Sequence, residues 1–273
     1  MKNCFVFNIE IKNKNLMNNH YDIMTYLLIY SIRYFYKDVD IICTYFGNIK
    51  DLKTSKIYNL LINNNIKIYN DNLPFNNIIE DNYYLRNYSL FYLTTKTNIL
   101  NIYDNLIYLD IDVVLLSKIQ HQYFKEDSII IEEVPKYIKL FFDNKHLPKN
   151  IINKKLYYNW FQIINKSNAY IYNIDFNNNC IEKQSDIIIS NNINNSNLNI
   201  IYNNEAYYPK KELNNNTCLL HYDSFMMEGT LIYLKEYNER LFNKYNSILK
   251  IFNIELQNEK KYWVDFKRKY NVK

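Results

Sequence analysis

Asn105-Leu106-Ile107-Tyr108-Leu109-Asp110-Ile111-Asp112-Val113-Val114-Leu115-Leu116 is an apolar run interrupted by two acids. Its first five residues are short, apolar and flanked by polar ones, which predicts a central strand, and the acids fall at that strand's carboxyl end. In open α/β sheets loops and helix N-termini converge at this edge, and ligands bind there. Side chains two apart in an extended segment point the same way. Asp110 and Asp112 can therefore share a divalent cation, directly or through water, and so hold a diphosphate. A solvated strand end accounts for the same pair, so the motif alone leaves both readings open.

Outward from this stretch the chain alternates. Cys4 to Ile9, Asp40 to Tyr45 and Ile66 to Tyr69 predict strands, and Tyr21 to Tyr36, Lys53 to Asn63 and Tyr84 to Asn101 predict helices. Such alternation implies βαβ units and a mainly parallel central sheet flanked by helices. Beyond Ser117 the pattern loosens. Ser128 to Glu132, Ala169 to Ile174 and Cys218 to His221 predict strands, Leu156 to Ile164 a helix or an extended segment, and Leu231 to Tyr270 an amphipathic helical end. The expected organisation is one α/β domain over 1–230 and a helical extension over 231–273 packed on it. No Pro/Gly linker divides the chain.

The 273 residues include 29 tyrosines but only two glycines, and 48% are hydrophobic, enough to build a large core. Asn, Ile, Lys and Tyr share AT-rich codons, so the asparagine runs 63–65, 177–179 and 214–216 reflect codon bias and predict surface loops. With Gly47 and Gly229 isolated, no glycine-rich phosphate loop can form, and a bound nucleotide needs another grip. A formal charge of +5 with dispersed basic residues is thin for a nucleic-acid footprint. The cysteines Cys4, Cys43, Cys180 and Cys218 show neither zinc-ligand spacing nor a disulfide framework. No stretch has the form of a signal peptide or the length of a membrane span, so the expected location is cytoplasmic.

The longer string from Tyr108 to Ile119 resembles the segment around the D-x-D of family 8 glycosyltransferases, the glycogenin-like group. Downstream, Leu219-Leu220-His221-Tyr222 resembles that family's apolar-apolar-His-aromatic motif. The resemblance implies a GT-A fold, with Asp110, Asp112 and His221 as metal ligands. Two carboxylates with one imidazole suit Mn2+ better than Mg2+. It also implies a nucleotide-sugar site in which Tyr21, set before Ser31-Ile32-Arg33, stacks on uracil. Arg86, Lys96, Asp110, Ile111 and Asp112 would contact the donor in that site. Gln184 and Asp186, in Gln184-Ser185-Asp186-Ile187-Ile188, loosely match the region lining the sugar and acceptor. One departure stands out: Tyr222 to Gly229 lacks the family's diphosphate-contacting lysine.

What the resemblance implies is a metal-dependent transferase moving a hexose from a UDP-sugar to a glycan, protein or small-molecule acceptor, with retention. Homodimerisation is compatible with it, and neither nucleic acid nor a membrane span is called for. Two alternatives stay open. A catalytically lapsed sugar-nucleotide or glycan-binding protein fits the missing lysine, and an interaction protein would use the basic aromatic tail from Lys260 to Lys269. Glu132-Glu133 read as acceptor contacts or as solvated surface acids.

Overall fold

A computed structural model describes residues 1–9, 18–71, 82–133, 157–158, 160–174, 184–203, 206–208 and 217–222, together with 239 and 243. The chain forms two compact units, Met1–Ile11, Val39–Asp110 and Gln120–Asn203 in the first, and Lys12–Asp38, Ile111–Ile119 and Asn204–Lys273 in the second.

The first unit is α/β. Strands β1 (Asn3–Ile9), β2 (Asp40–Tyr45), β3 (Lys67–Asn70) and β4 (Asn105–Leu109) are parallel, and the later strand Phe161–Ile164 closes the sheet antiparallel to β4. Their order across the sheet is β3, β2, β1, β4 and then that last strand. The continuous apolar runs of β1, β2 and β4 are buried along almost their whole length, as befits strands covered on both faces. Edge strand β3 is half-exposed and begins with Lys67, a charge that discourages edge-to-edge pairing.

After α1 (Asn18–Phe35), which belongs to the second unit, the predicted helix from Lys53 to Asn63 meets two helices, α2 (Ile49–Lys53) and α3 (Lys56–Asn63). The break follows from their caps. Asn48 accepts from Lys50 N at 3.0 Å, and extended Ser55 accepts from Tyr58 N at 3.3 Å. At the end of α3, Asn65 adopts φ 54°, with Asn65 N bonding Ile62 O at 3.0 Å and Ile66 N bonding Leu61 O at 2.9 Å. This is a Schellman closure with asparagine in the left-handed place that glycine usually fills. The run 63–65 is thus a helix terminator.

The next predicted helix also subdivides, into α4 (Asn82–Phe91), a π turn (Tyr92–Lys96) and a 3₁₀ turn (Ile99–Asn101). Hydroxyls of Thr94, Thr95 and Thr97 donate to the carbonyls of Leu90, Phe91 and Leu93, competing with the regular ladder. Helix α4 packs on β1, and α3 on β3.

Strands β6 (Ser128–Glu133), β7 (Tyr157–Tyr158) and β9 (Asn199–Tyr202) form a second sheet of this unit, and the central sheet's last strand is β8 (Phe161–Ile164). The segment from Leu156 to Ile164 is therefore extended. The strand predicted from Ala169 to Ile174 is instead a 3₁₀ turn, Ala169–Tyr172. Asn165 Oδ1 accepts from Ser167 N and Asn168 N while Asn168 Oδ1 accepts from Asn165 N, and these side-chain turns outweigh the residues' strand preference. Helix α5 (Gln184–Asn194) escaped the sequence reading because four of its residues are Asn or Gln and its apolar spacing is weak.

The second unit is built on α1, β5 (Val113–Leu115), β10 (Ala206–Tyr208) and β11 (Leu219–Tyr222). Its sheet runs β10, β11, β5, with β5 antiparallel to β11. Buried Ser31 of α1 donates to Leu28 O at 2.8 Å and accepts from Leu115 N at 3.1 Å, and Tyr36 OH accepts from Ile119 N at 2.7 Å. The bond from Leu115 fixes β5 against the helix, and the bond from Ile119 fixes the segment just after it. Glu239 and Asn243 are helical and exposed; the rest of the predicted helical end, and the runs 177–179 and 214–216, lie outside the described residues. Cys4, Cys43 and Cys218 are buried and none is in a disulfide, while Cys180 lies outside the described residues. Among the described residues no helix is long and apolar enough to cross a membrane.

At the amino end of the central sheet, Tyr103 OH donates to Asp40 Oδ2 at 2.7 Å, and Lys67 Nζ lies 2.8 Å from that hydroxyl and 3.2 Å from Asp40 Oδ1. The tyrosine hydrogen bond, helped by Lys67, holds the Asp40 carboxyl below its usual range. A depressed carboxylate stabilises the fold above its unfolded value of about 4 and loses that contribution as pH falls through the folded one. Asp40→Asn should lower the urea midpoint at pH 6 by the equivalent of less than about 1 kcal/mol, since the pair is part-exposed. Its deficit should vanish towards pH 2.5. A deficit constant with pH would contradict this.

Candidate metal centre

The two acids adjoin different strands, Asp110 directly after β4 and Asp112 directly before β5. The Asp110 N–H donates to Trp160 O at 2.9 Å, which continues the pairing of β4 with β8 by one bond. Its carboxylate is gripped at both oxygens: Tyr108 OH lies 3.0 Å from Oδ1, and Arg86 Nη1 donates to Oδ2 at 3.4 Å. Arg86 comes from α4 and its side chain is 5% exposed, against 22% for Asp110. The cation is thus sunk beneath the carboxylate, which keeps one side towards solvent.

Asp112 immediately precedes β5. Antiparallel pairing sets Val113 opposite His221 of β11, so the imidazole arrives beside Asp112, with Nε2 3.1 Å from Oδ1. Their side chains are 23% and 12% exposed. The chain itself tethers Asp110 two residues away, within about 7 Å between Cα atoms. One ligand-type atom from each of Asp110, Asp112 and His221 lies within 4.8 Å of the others.

These residues suit a divalent cation. Bonds of about 2.1 Å set neighbouring ligands at right angles about 3 Å apart and opposite ones about 4.2 Å apart. The 3.1 Å contact, with all three ligand atoms within 4.8 Å of one another, is compatible with that range. Two carboxylates and an imidazole form a mixed oxygen–nitrogen set that favours a borderline first-row metal.

The other expected site residues divide in two. Ile111 sits half-buried between the acids, and Lys96, exposed at the end of the π turn, rests its ammonium 5.7 Å from the centre of the Phe91 ring. Tyr21 lies in α1, and Gln184 and Asp186 in the first turn of α5, but their side chains are outside the described residues. Glu132 is neither a free surface acid nor directed at solvent alone, since its Oε2 accepts from Trp160 Nε1 at 2.6 Å. That bond steadies the residue whose carbonyl anchors Asp110. Sequence reasoning overlooked Tyr108 and Trp160. Alternation along β4 was the available signal for Tyr108, because it shares a face with Asp110.

No protein-family model and no curated protein matches the chain. Among solved structures it is similar to a crystal structure of an active-site mutant of LgtC, with TM-score 0.49 and 15% identity over 80% of this chain and 86% of that one. It is also similar to galactosyltransferase LgtC in complex with donor and acceptor sugar analogues, with TM-score 0.46, 16% identity and the same coverage. The chemistry has to come from the residues of the site.

Arg86 compensates the Asp110 charge from a buried position, so its removal leaves a part-buried carboxylate without its cation. Arg86→Met should cost about 2 kcal/mol, seen as a melting temperature lower by about 5 °C for a chain of this size. An unchanged melting temperature would show that the ion pair contributes nothing to the fold.

Proposed function

We propose that this protein is a metal-dependent glycosyltransferase of the GT-A type, acting on a nucleoside diphosphate sugar. The observation that carries the reading is the convergence of Asp110, Asp112 and His221 from separate strands. The surrounding sequence, from Tyr108 to Ile119 and from Leu219 to Tyr222, supports it through its likeness to the family 8 enzymes. In this reading Mn2+, or Mg2+, is the cation, and UDP the nucleotide. Residues 1–230 make the catalytic body, and 231–273 a helical extension on it.

The bound cation would supply charge neutralisation for the departing diphosphate. The chain's own groups do the rest. Arg86 and Tyr108 hold the Asp110 carboxylate in one orientation, so little reorganisation accompanies donor binding. His221 and Asp112 hold each other at the second position, keeping the imidazole ring in place before a ligand arrives. Tyr21 would present a face for the base, and Lys96 a charge for the phosphates in place of the lysine absent from Tyr222 to Gly229. Gln184 and Asp186, at the N-terminal turn of α5, would line the sugar and acceptor, and the sugar would be transferred with retention of configuration.

That missing lysine favours one second reading, a sugar-nucleotide binder that has lost turnover. The two separate by rate. Incubated with Mn2+ and a panel of UDP-hexoses, the wild type should release UDP, and Asp112→Asn should slow release at least about 100-fold through loss of a direct ligand. UDP binding without any release would favour the lapsed binder. Release unaffected by EDTA and by Asp112→Asn would overturn the metal-dependent reading.

A further inference from the structure

Tyr108 is fully buried, and alternation along β4 puts its side chain on the face that carries Asp110. Its hydroxyl lies 3.0 Å from Asp110 Oδ1 and 2.5 Å from Asn8 Oδ1. Asn8 belongs to β1, the strand paired with β4 through Val6 and Tyr108. The phenol's one proton lies within reach of both oxygens, Asn8 Oδ1 being the nearer.

We infer that Asn8 and Tyr108 are positioning residues for the proposed metal site. The phenol O–H is shared between Asn8 Oδ1 and Asp110 Oδ1, so that Asn8 fixes the phenol and the phenol fixes the carboxylate's rotamer. The inference rests on the reading of Asp110, Asp112 and His221 as metal ligands. Hydrogen bonds to an ionised acceptor are among the stronger ones. Asp110 is thereby tied to three elements: α4 through Arg86, β8 through Trp160 O, and β1 through this relay. Outer partners of this kind tune metal affinity by about 10- to 100-fold.

The test is Mn2+ binding, metal alone, followed by the electron paramagnetic resonance signal of the free ion, with melting temperature measured alongside. Tyr108→Phe should raise the Mn2+ Kd about tenfold and Asn8→Ala by about threefold. Tyr172→Phe serves as the control, because its buried hydroxyl donates to Gln162 Oε1 at 3.0 Å. It should lower the melting temperature and leave the Kd unchanged. A Tyr108→Phe protein that binds Mn2+ as the wild type does would overturn the relay and leave the metal site standing. A wild type that binds no Mn2+ would overturn both. Should Tyr108→Phe fail to fold, Asn8→Ala at its half-buried position decides the question, an unchanged Kd again overturning the relay.

Discussion

The antiparallel pairing of β5 with β11 is the constraint on which the site depends. It sets His221 opposite Val113 and so next to Asp112, a residue 109 positions away in the chain. Without that register the Asp-Ile-Asp motif would be two acids at the end of a strand. A shift by one residue would turn the imidazole to the other face of the sheet. The helix α1 guards against such a shift, because Ser31 and Tyr36 each take a backbone N–H from the segment around β5. These are specific bonds in a region where Val and Leu alone would tolerate sliding.

Electrostatics gives the arrangement its purpose. Two carboxylates held close together repel, and a fold bears that cost where a cation is to be received. Here the repulsion is eased unequally. Asp110 has a buried guanidinium against one oxygen and a phenol against the other, whereas Asp112 has the imidazole. Asp110 is accordingly the more firmly held of the two acids, and Asp112 is paired with the group that shares its proposed role.

Much of this was legible in the sequence. The apolar runs of β1, β2 and β4 were read correctly because strands buried on both faces leave continuous signals that polar neighbours punctuate. Asp110, Asp112 and His221 were found together through motif spacing and resemblance, and the fold brings them to one place. What escaped was set by side chains acting on local backbone. Ser55 split a predicted helix, the threonines after Leu90 turned another into a π turn, and Asn165 with Asn168 made a 3₁₀ turn from residues that favour strands. The buried setting of Arg86 was equally hidden, since a helical charge looks alike in sequence whether it faces water or a carboxylate.

The same glycine scarcity that removed phosphate loops from consideration left its mark on the fold, where Asn65 and Asp127 take the left-handed turns. Under the proposed function, such a chain holds its anionic ligand by side chains and a cation rather than by bare backbone amides. Anomalous diffraction at the manganese edge, from crystals soaked with Mn2+ and UDP, addresses that claim directly. The account predicts a peak bonded by Asp110, Asp112 and His221; a fully soaked crystal with no peak there, or with manganese held by other residues, would contradict it.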